Sequence, residues 1–176
     1  MDKQTFWQLI ETARADAQEH EVAPRAAELL AQRPESEIAA AQQVLWDLLA
    51  ESYRAPLWAA AYVINGGCSD DGFDYFRGWL LTQGREAFEA ALADPDSLAG
   101  HPAVRGAATG GAGDLEDEDA LSIAWTAYEA ATGRELPADS FTISYPELDP
   151  SWDFDFDDTD ETSARLPRLS TLFDYS

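Results

Sequence analysis

Residues 5–93 consist of short stretches in which apolar residues recur every three or four positions, and proline or glycine bounds most of these stretches. This spacing places the apolar side chains on one face of a helix. Proline and glycine mark where helices begin and end. We therefore predict a mainly α protein, folded as a compact bundle of about six to seven helices.

The most apolar of these stretches, residues 57–64, predicts a central and buried helix. Pro56 fits the first turn of this helix, where its missing N–H is not needed. Gly66 and Gly67 follow, and glycine adopts the left-handed conformation that commonly ends a helix. The glycine-rich stretch 100–113 lacks helical spacing and is expected to be a loop or linker.

The character of the chain changes after Pro137. Residues 141–145 alternate apolar and polar side chains in the manner of a short strand, but a lone strand needs a partner. Residues 139–161 hold nine acidic residues and no basic one. We therefore divide the chain into a helical domain, 1–136, and an irregular acidic and aromatic C-terminal extension, 137–176. The extension ends with leucines and a phenylalanine that should let it pack partly on the domain.

Charge limits the classes of partner. The chain has 34 acidic and 11 basic residues, a net charge of −23, and residues 94–176 alone carry −15. This field repels nucleic acid and anionic lipid, so direct nucleic-acid binding is disfavoured and a basic protein is the expected partner. One cysteine, no secretory signal and no apolar stretch of about 20 residues predict a cytoplasmic protein without a membrane segment.

The densest polar cluster lies in residues 65–77, around the Gly66-Gly67 turn. On a helix that starts near Asp70, the carboxylates of Asp70 and Asp74 and the guanidinium of Arg77 fall on one stripe. The cluster is either a site for a cation, an amine or an arginine-bearing partner, or a helix cap with an ordinary ion pair. A phosphate site is excluded because aspartates occupy the first turn. The candidate residues are Asn65, Cys68, Ser69, Asp70, Asp71, Asp74 and Arg77.

No catalytic set, metal site or cofactor is predicted. Cys68 precedes a helix, a position that can lower a thiol pKa, but the histidines, His20 and His101, are distant in sequence. Zinc sites need paired ligand spacings that the chain lacks. The alternating aspartates from Asp153 resemble the start of a calcium loop, yet the loop glycine is replaced by Asp158.

The extension offers a second candidate, an acidic surface in which aromatic residues alternate with carboxylates. Such a surface can engage a basic partner, imitate the phosphates of DNA, or simply keep the protein soluble. The rings of Trp152, Phe154 and Phe156 should pack against other apolar groups. The candidate residues are Asp153, Asp155, Asp157, Asp158, Asp160 and Glu161.

Several motifs resemble one uncharacterised bacterial family, domain of unknown function 4240. They are Phe6-Trp7 with Leu9-Ile10, then the stretch from Leu57 to Tyr62, the long run from Gly66 to Leu80, and Asp94-Pro95. The resemblance covers about residues 5–130. It implies a compact helical domain and no known activity, and it places the characteristic run in the candidate turn.

The residues and the resemblance leave three functions open. The first is a non-catalytic binding or adaptor protein that engages a basic partner through an acidic surface. The second is an enzyme or small-ligand site at the turn of residues 65–77, with Asp70 or Asp74 as an acid, a base or a metal ligand. The third is a DNA mimic that inhibits a nucleic-acid-binding protein.

Overall fold

The computed structural model describes residues 1–18, 21–110 and 113–174. Within these ranges the chain is mainly α-helical and contains no strand, so the predicted fold class is confirmed. The α-helices are α1 (Lys3–Asp16), α2 (Val22–Leu30), α3 (Glu35–Ser52), α4 (Ala55–Asn65), α5 (Asp70–Thr82), α6 (Arg85–Ala93), α7 (Pro102–Ala108), α8 (Ile123–Thr132), α9 (Thr159–Arg165) and α10 (Pro167–Leu172). The described residues also contain the 3-10 helices Pro95–Gly100, Asp119–Ser122, Ala138–Ser140 and Pro150–Trp152.

The first helices form because caps and apolar stripes agree. Asp2 begins α1 by accepting a hydrogen bond from the N–H of Thr5 at 2.7 Å. The buried stripe of α1 includes Phe6 and Ile10, and α1 packs on α2. Helix α8 packs on both α2 and α3. The apolar faces of these helices thus meet in one core.

Helix α4 lies at the centre of this core, as its apolar sequence predicts. Leu57 and residues 59–61 have no exposed surface. Gly66 follows the helix at φ 68°, in the left-handed region that glycine adopts without strain. Trp58 and Tyr62, four residues apart, form the one stripe of α4 that is only partly buried. No helix in the described ranges is both long and apolar enough to span a bilayer.

Helix α5 is crossed closely by the acidic segment 114–119. The N–H of Asp117 donates to the carbonyl of Tyr75 at 2.9 Å. A Cβ at position 78 would lie 2.4 Å from the carbonyl oxygen of Asp117, so this crossing requires Gly78. Asn65 ties α4 to the same segment, because its Oδ1 accepts from the N–H of Leu115 at 3.0 Å.

The predicted number of six to seven helices is wrong, because it is lower than the number that the structure shows. The stretch predicted as a loop contains α7, which Pro102 begins and His101 caps through Nδ1. The extension predicted as irregular contains α9 and α10. These helices are too short for apolar periodicity, and local caps and tertiary contacts define them instead.

The strand-like alternation at residues 141–145 produces no strand in this described part of the chain, which agrees with its lack of a partner strand. This segment is extended, but no strand pairs with it. The amide of Gln43 on α3 takes that place, because it accepts from the N–H of Thr142 at 2.7 Å and donates to its carbonyl at 3.2 Å. Ile143 and Tyr145 stay 46% and 52% exposed.

The end of the extension is anchored to the helical core through Asp96, which is 5% exposed. Its carboxylate accepts from the backbone N–H groups of Arg168 and Leu169 at 2.9–3.1 Å and from the Nε of Arg168 at 2.9 Å. Leu166 and Leu169 are buried in the common core. The proposed division of the chain at residue 136 stays a prediction, and this anchor connects its two sides.

Candidate functional site

The turn between α4 and α5 leads into the capped N-terminus of α5. The hydroxyl of Ser69 accepts from the N–H of Gly72 at 3.1 Å, and Asp70 and Asp71 occupy the first turn of α5. Negative charge is favourable there because of the helix dipole. The carboxylates of Asp70 and Asp71 are exposed and accept no hydrogen bond within the described residues.

Arg77, one turn further along α5, is completely buried. Its guanidinium donates to the carbonyl of Leu49, to the carboxylate of Asp74, and to the carbonyl of Phe73 at 3.3 Å. Burial lowers the pKa of Arg77, and Asp74 counteracts that shift. The guanidinium is therefore used within the fold, and it is not exposed to an incoming ligand.

The guanidinium carbon of Arg77 also lies 5.1 Å from the ring centre of Tyr53 and 4.8 Å from that of Phe73. The second oxygen of Asp74 accepts from the hydroxyl of Tyr145 at 3.3 Å. This contact brings the extension over the turn. Sequence analysis missed the role of both tyrosines, because neither belongs to the acidic motifs.

A cavity of about 290 Å³ opens where the extension meets the turn. We call it the tyrosine cleft, and its lining residues are Tyr53, Asp70, Asp71, Asp74 and Tyr145. Three of the candidate carboxylates therefore meet in one place. The arrangement can hold a positively charged group against aromatic and carboxylate surfaces.

A second cavity, of about 400 Å³, lies where α4 meets the extension. We call it the tryptophan pocket. Four aromatic residues and two carboxylates dominate its lining: Trp58, Trp152, Phe154, Phe156, Asp149 and Asp153. Tyr53 of the tyrosine cleft and Trp58 of the tryptophan pocket have ring centres 6.0 Å apart, so the two cavities are neighbours. Together they form one face, which we call the acidic aromatic face.

Trp58 holds a fixed position on this face. Its Nε1 donates to the carbonyl of Cys68 at 3.0 Å, and its ring stacks on Phe73 with centres 4.8 Å apart and planes 11° apart. One turn further along the same stripe, Tyr62 packs edge-on against Phe156, with ring centres 5.7 Å apart. The ring of Phe156 in the extension thus packs on the partly buried stripe of α4.

The six candidate acidic residues of the extension separate into two groups. Four have contacts within the fold. Asp157 accepts from the hydroxyl of Tyr62 at 2.8 Å, Asp158 caps α9, Asp155 accepts from the N–H of Asp157 at 3.1 Å, and Glu161 pairs with Arg165 at 3.1 Å. The carboxylates of Asp153 and Asp160 are exposed and accept no hydrogen bond in the described ranges. Of these two, Asp153 lines the tryptophan pocket.

Cys68 lies at the turn, half-buried. Burial raises the pKa of its thiol to about 12, and the nearby carboxylate of Glu116 adds to the shift. The thiol is therefore protonated at neutral pH, whereas a reactive cysteine requires a lowered pKa. His101 caps α7, and its ring packs edge-on against that of Trp79, with ring centres 5.4 Å apart. His20 lies outside the described residues.

Three further observations bear on ligands. Among the described residues, no group of three or more His, Cys, Asp or Glu side chains is arranged to hold a metal ion. The Nδ2 of Asn65 is buried without a partner in the described chain. Burial raises the pKa of Asp117, whose Oδ1 caps the following 3-10 helix through the N–H of Ala120 at 3.0 Å.

A family model described as a protein of unknown function, DUF4240, matches residues 1–130. This match includes the tyrosine cleft except for Tyr145, and it ends before the part of the extension that lines the tryptophan pocket. No curated protein and no solved structure matches the chain.

Proposed function

The chain belongs to the DUF4240 family of proteins of unknown function, and we propose that it is a non-catalytic binding protein that engages a basic protein through its acidic aromatic face. One observation carries the proposal. The exposed carboxylates of Asp70, Asp71 and Asp153, which form no ion pair within the described residues, lie beside aromatic rings in two neighbouring cavities.

Charge supports a basic partner. The net charge of −23 gives a field that accelerates encounter with a positively charged protein. Asp70, Asp71 and Asp153 are exposed, so their charges are available to a partner. Clefts lined by one sign of charge and low-dielectric walls focus such a field, and aromatic rings supply those walls here.

The aromatic rings distinguish this face from a merely solvated acidic surface. Solubility requires charge, but it does not require Trp58 and Trp152 to meet across an opening. Tryptophan and tyrosine are enriched at protein interfaces because they bring large contact areas with little loss of side-chain entropy. The cation–π attraction of these rings adds to the carboxylate charge.

The chemistry of the turn supports a non-catalytic role. The Cys68 thiol is protonated at neutral pH because its pKa is raised to about 12. Asp74 is paired with Arg77, and Ser69 is used as a helix cap. These groups stabilise the fold and are not arranged as a nucleophile with a base.

A small-ligand site at residues 65–77 is the second candidate, and the tyrosine cleft is the observation that favours it. Three carboxylates and two phenol rings around about 290 Å³ suit an organic amine. Saturable binding of spermidine that Asp70→Asn abolishes would support this alternative. DNA mimicry stays a prediction, and displacement of duplex DNA from a purified partner would test it.

Peptide titration tests the main proposal. We would titrate the full chain with a lysine-bearing Gly/Ser peptide and measure binding by calorimetry at about 0.1 M and about 1 M salt. This change shortens the screening length from about 10 to about 3 Å. Binding should be saturable at low salt and lost at high salt.

Charge-matched variants locate the binding. Asp70→Asn with Asp153→Asn removes two charges from the face, whereas Glu86→Gln with Glu129→Gln removes two exposed charges from outside it. Only the first pair should weaken binding by about tenfold or more. Equal weakening by both pairs would mean that the peptide responds to net charge alone, and the proposal would then be wrong.

A further inference from the structure

The chain holds arginine side chains in a recurring arrangement. The guanidinium of Arg77 lies against the rings of Tyr53 and Phe73, at 5.1 and 4.8 Å, and pairs with Asp74. Two aromatic rings and one carboxylate thus surround a planar cation. This arrangement suits arginine, because guanidinium stacks on rings and matches carboxylate geometry.

Arg165 on α9 repeats the arrangement at the surface. Its guanidinium carbon lies 4.9 Å from the ring centre of Trp152 and 4.8 Å from that of Phe154. Its Nε pairs with Glu161 at 3.1 Å, and its Nη1 donates to the carbonyl of Ser151 at 2.8 Å. Two rings of the tryptophan pocket therefore already contact a guanidinium that is not among the lining residues of the pocket.

The tryptophan pocket contains the same components. Its rings include Trp58 and Trp152, and its carboxylates are Asp149 and Asp153. Hydrogen bonding to the N–H of Ser151 lowers the pKa of Asp149, and the charge of Arg165 adds to this shift, so this carboxylate is ionised at neutral pH. The volume of the tryptophan pocket, about 400 Å³, lies within the range of about 300–1,000 Å³ that is usual for ligand sites.

The described lining residues of the pocket supply no cation of their own. Arg54 is adjacent in sequence to the lining residue Ala55, but its guanidinium donates to the carbonyls of Glu51 and Leu92 at 2.8 and 3.3 Å. Arg165 is held by Glu161 and Ser151. The pocket therefore has rings and charge suited to a guanidinium from another molecule.

We infer that the tryptophan pocket binds the side chain of an arginine in the basic partner, with its guanidinium against the aromatic rings and its charge beside Asp149 and Asp153. This inference rests on the proposed function and adds a side-chain preference to it. Arginine is favoured over lysine because guanidinium is planar and more weakly hydrated than ammonium.

Two matched peptides test the preference. They have the same Gly/Ser sequence, and one carries arginines where the other carries lysines. The full chain should bind the arginine peptide at least about fivefold more tightly. Trp152→Leu should remove this difference by lowering the affinity for the arginine peptide to that for the lysine peptide.

Phe173→Leu is the matched control, because Phe173 is a half-buried ring of the extension outside the pocket. It should keep the arginine preference, and circular dichroism should show both variants folded. If Trp152→Leu alters the fold, the preference is tested instead with Asp153→Asn, whose exposed carboxylate accepts no hydrogen bond from the described residues. That variant should weaken binding of the arginine peptide more than that of the lysine peptide.

The outcomes separate the two proposals. Equal affinity for both peptides, lost in the Asp70→Asn and Asp153→Asn double variant, would overturn the arginine pocket and leave the binding function standing. An arginine preference that survives both Trp152→Leu and Asp153→Asn would place the guanidinium elsewhere and overturn the inference. Failure of both peptides to bind at low salt would overturn the proposed function and this inference with it.

Discussion

Replacing Asp74 by alanine should destabilise the fold strongly, because Asp74 is the carboxylate partner of a buried cation. Arg77 has no exposed surface, and its other hydrogen bonds go to the carbonyls of Leu49 and Phe73. Without Asp74 the positive charge stays buried between two aromatic rings with no counter-charge beside it. Removal of one partner from a buried pair costs about 3–5 kcal/mol.

The structure places the expected loss near the lower end of this range. The side chain of Asp74 is 22% exposed, so water can replace part of the lost interaction. We therefore expect the free energy of unfolding to fall by about 3 kcal/mol. For a chain of this length, each kcal/mol lowers Tm by about 2–4 °C, which gives a fall of about 6–12 °C.

Thermal unfolding monitored by circular dichroism measures this change. The matched control is Asp70→Ala, one turn earlier on α5. The carboxylate of Asp70 is exposed and accepts no hydrogen bond from the described chain, so its loss should cost less than about 1 kcal/mol. Similar Tm values for the two variants would refute the argument that Asp74 holds a buried charge.

Three further changes test other parts of the fold. Gly78→Ala should lower stability by about 1–3 kcal/mol in chemical denaturation, because its Cβ would clash with the Asp117 carbonyl, whereas Gly106→Ala, with nothing within 4 Å, should not destabilise. Asp96→Ala should release α10, seen as faster hydrogen exchange of residues 167–172, and unchanged exchange would contradict the anchor. The raised pKa of the Cys68 thiol, about 12, should make its alkylation at pH 8 far slower in the native than in the unfolded protein. Above the ordinary thiol pKa of about 8.5 the unfolded chain loses this proton while the folded chain keeps it, so the free energy of unfolding should fall as pH rises further. Rapid alkylation of the native protein would show that the thiol is not protected.

Apolar periodicity was sufficient to predict the helices of the first half of the chain. Helix α4 is buried as its sequence indicates, because an element that is apolar on nearly every side has to be surrounded. The short helices were missed because they contain too few apolar residues to show a period. Helix α7 has seven residues, and its existence depends on Pro102, the His101 cap and one buried side chain, Val104.

The alternation at residues 141–145 does not lead to a strand, because alternation alone does not supply a partner. Residues 141–145 are extended, yet the side chain of Gln43, about a hundred positions earlier, satisfies the backbone of Thr142. A side-chain amide that replaces a neighbouring strand leaves no signal in the local sequence pattern.

The candidate site was only partly predictable. The turn of residues 65–77 stands out in the sequence because polar residues with caps and charges concentrate there. The tryptophan pocket does not stand out, because Trp58 and Trp152 come from distant parts of the chain and meet only after folding. The alternation of aromatic residues and aspartates in the extension predicted that these rings pack against other apolar groups, but it did not indicate which part of the chain they contact.

The most direct test of the acidic aromatic face is a ¹H–¹⁵N NMR titration of the full chain with the arginine peptide at low salt. The chain has six tryptophans, whose indole N–H groups report separately, and two of them, Trp58 and Trp152, line the tryptophan pocket. We predict that these two indole signals and the amides of residues 142–156 shift, while the indoles of Trp7 and Trp79 stay in place. Shifts spread over all acidic surfaces, with the Trp58 and Trp152 signals unmoved, would contradict the account.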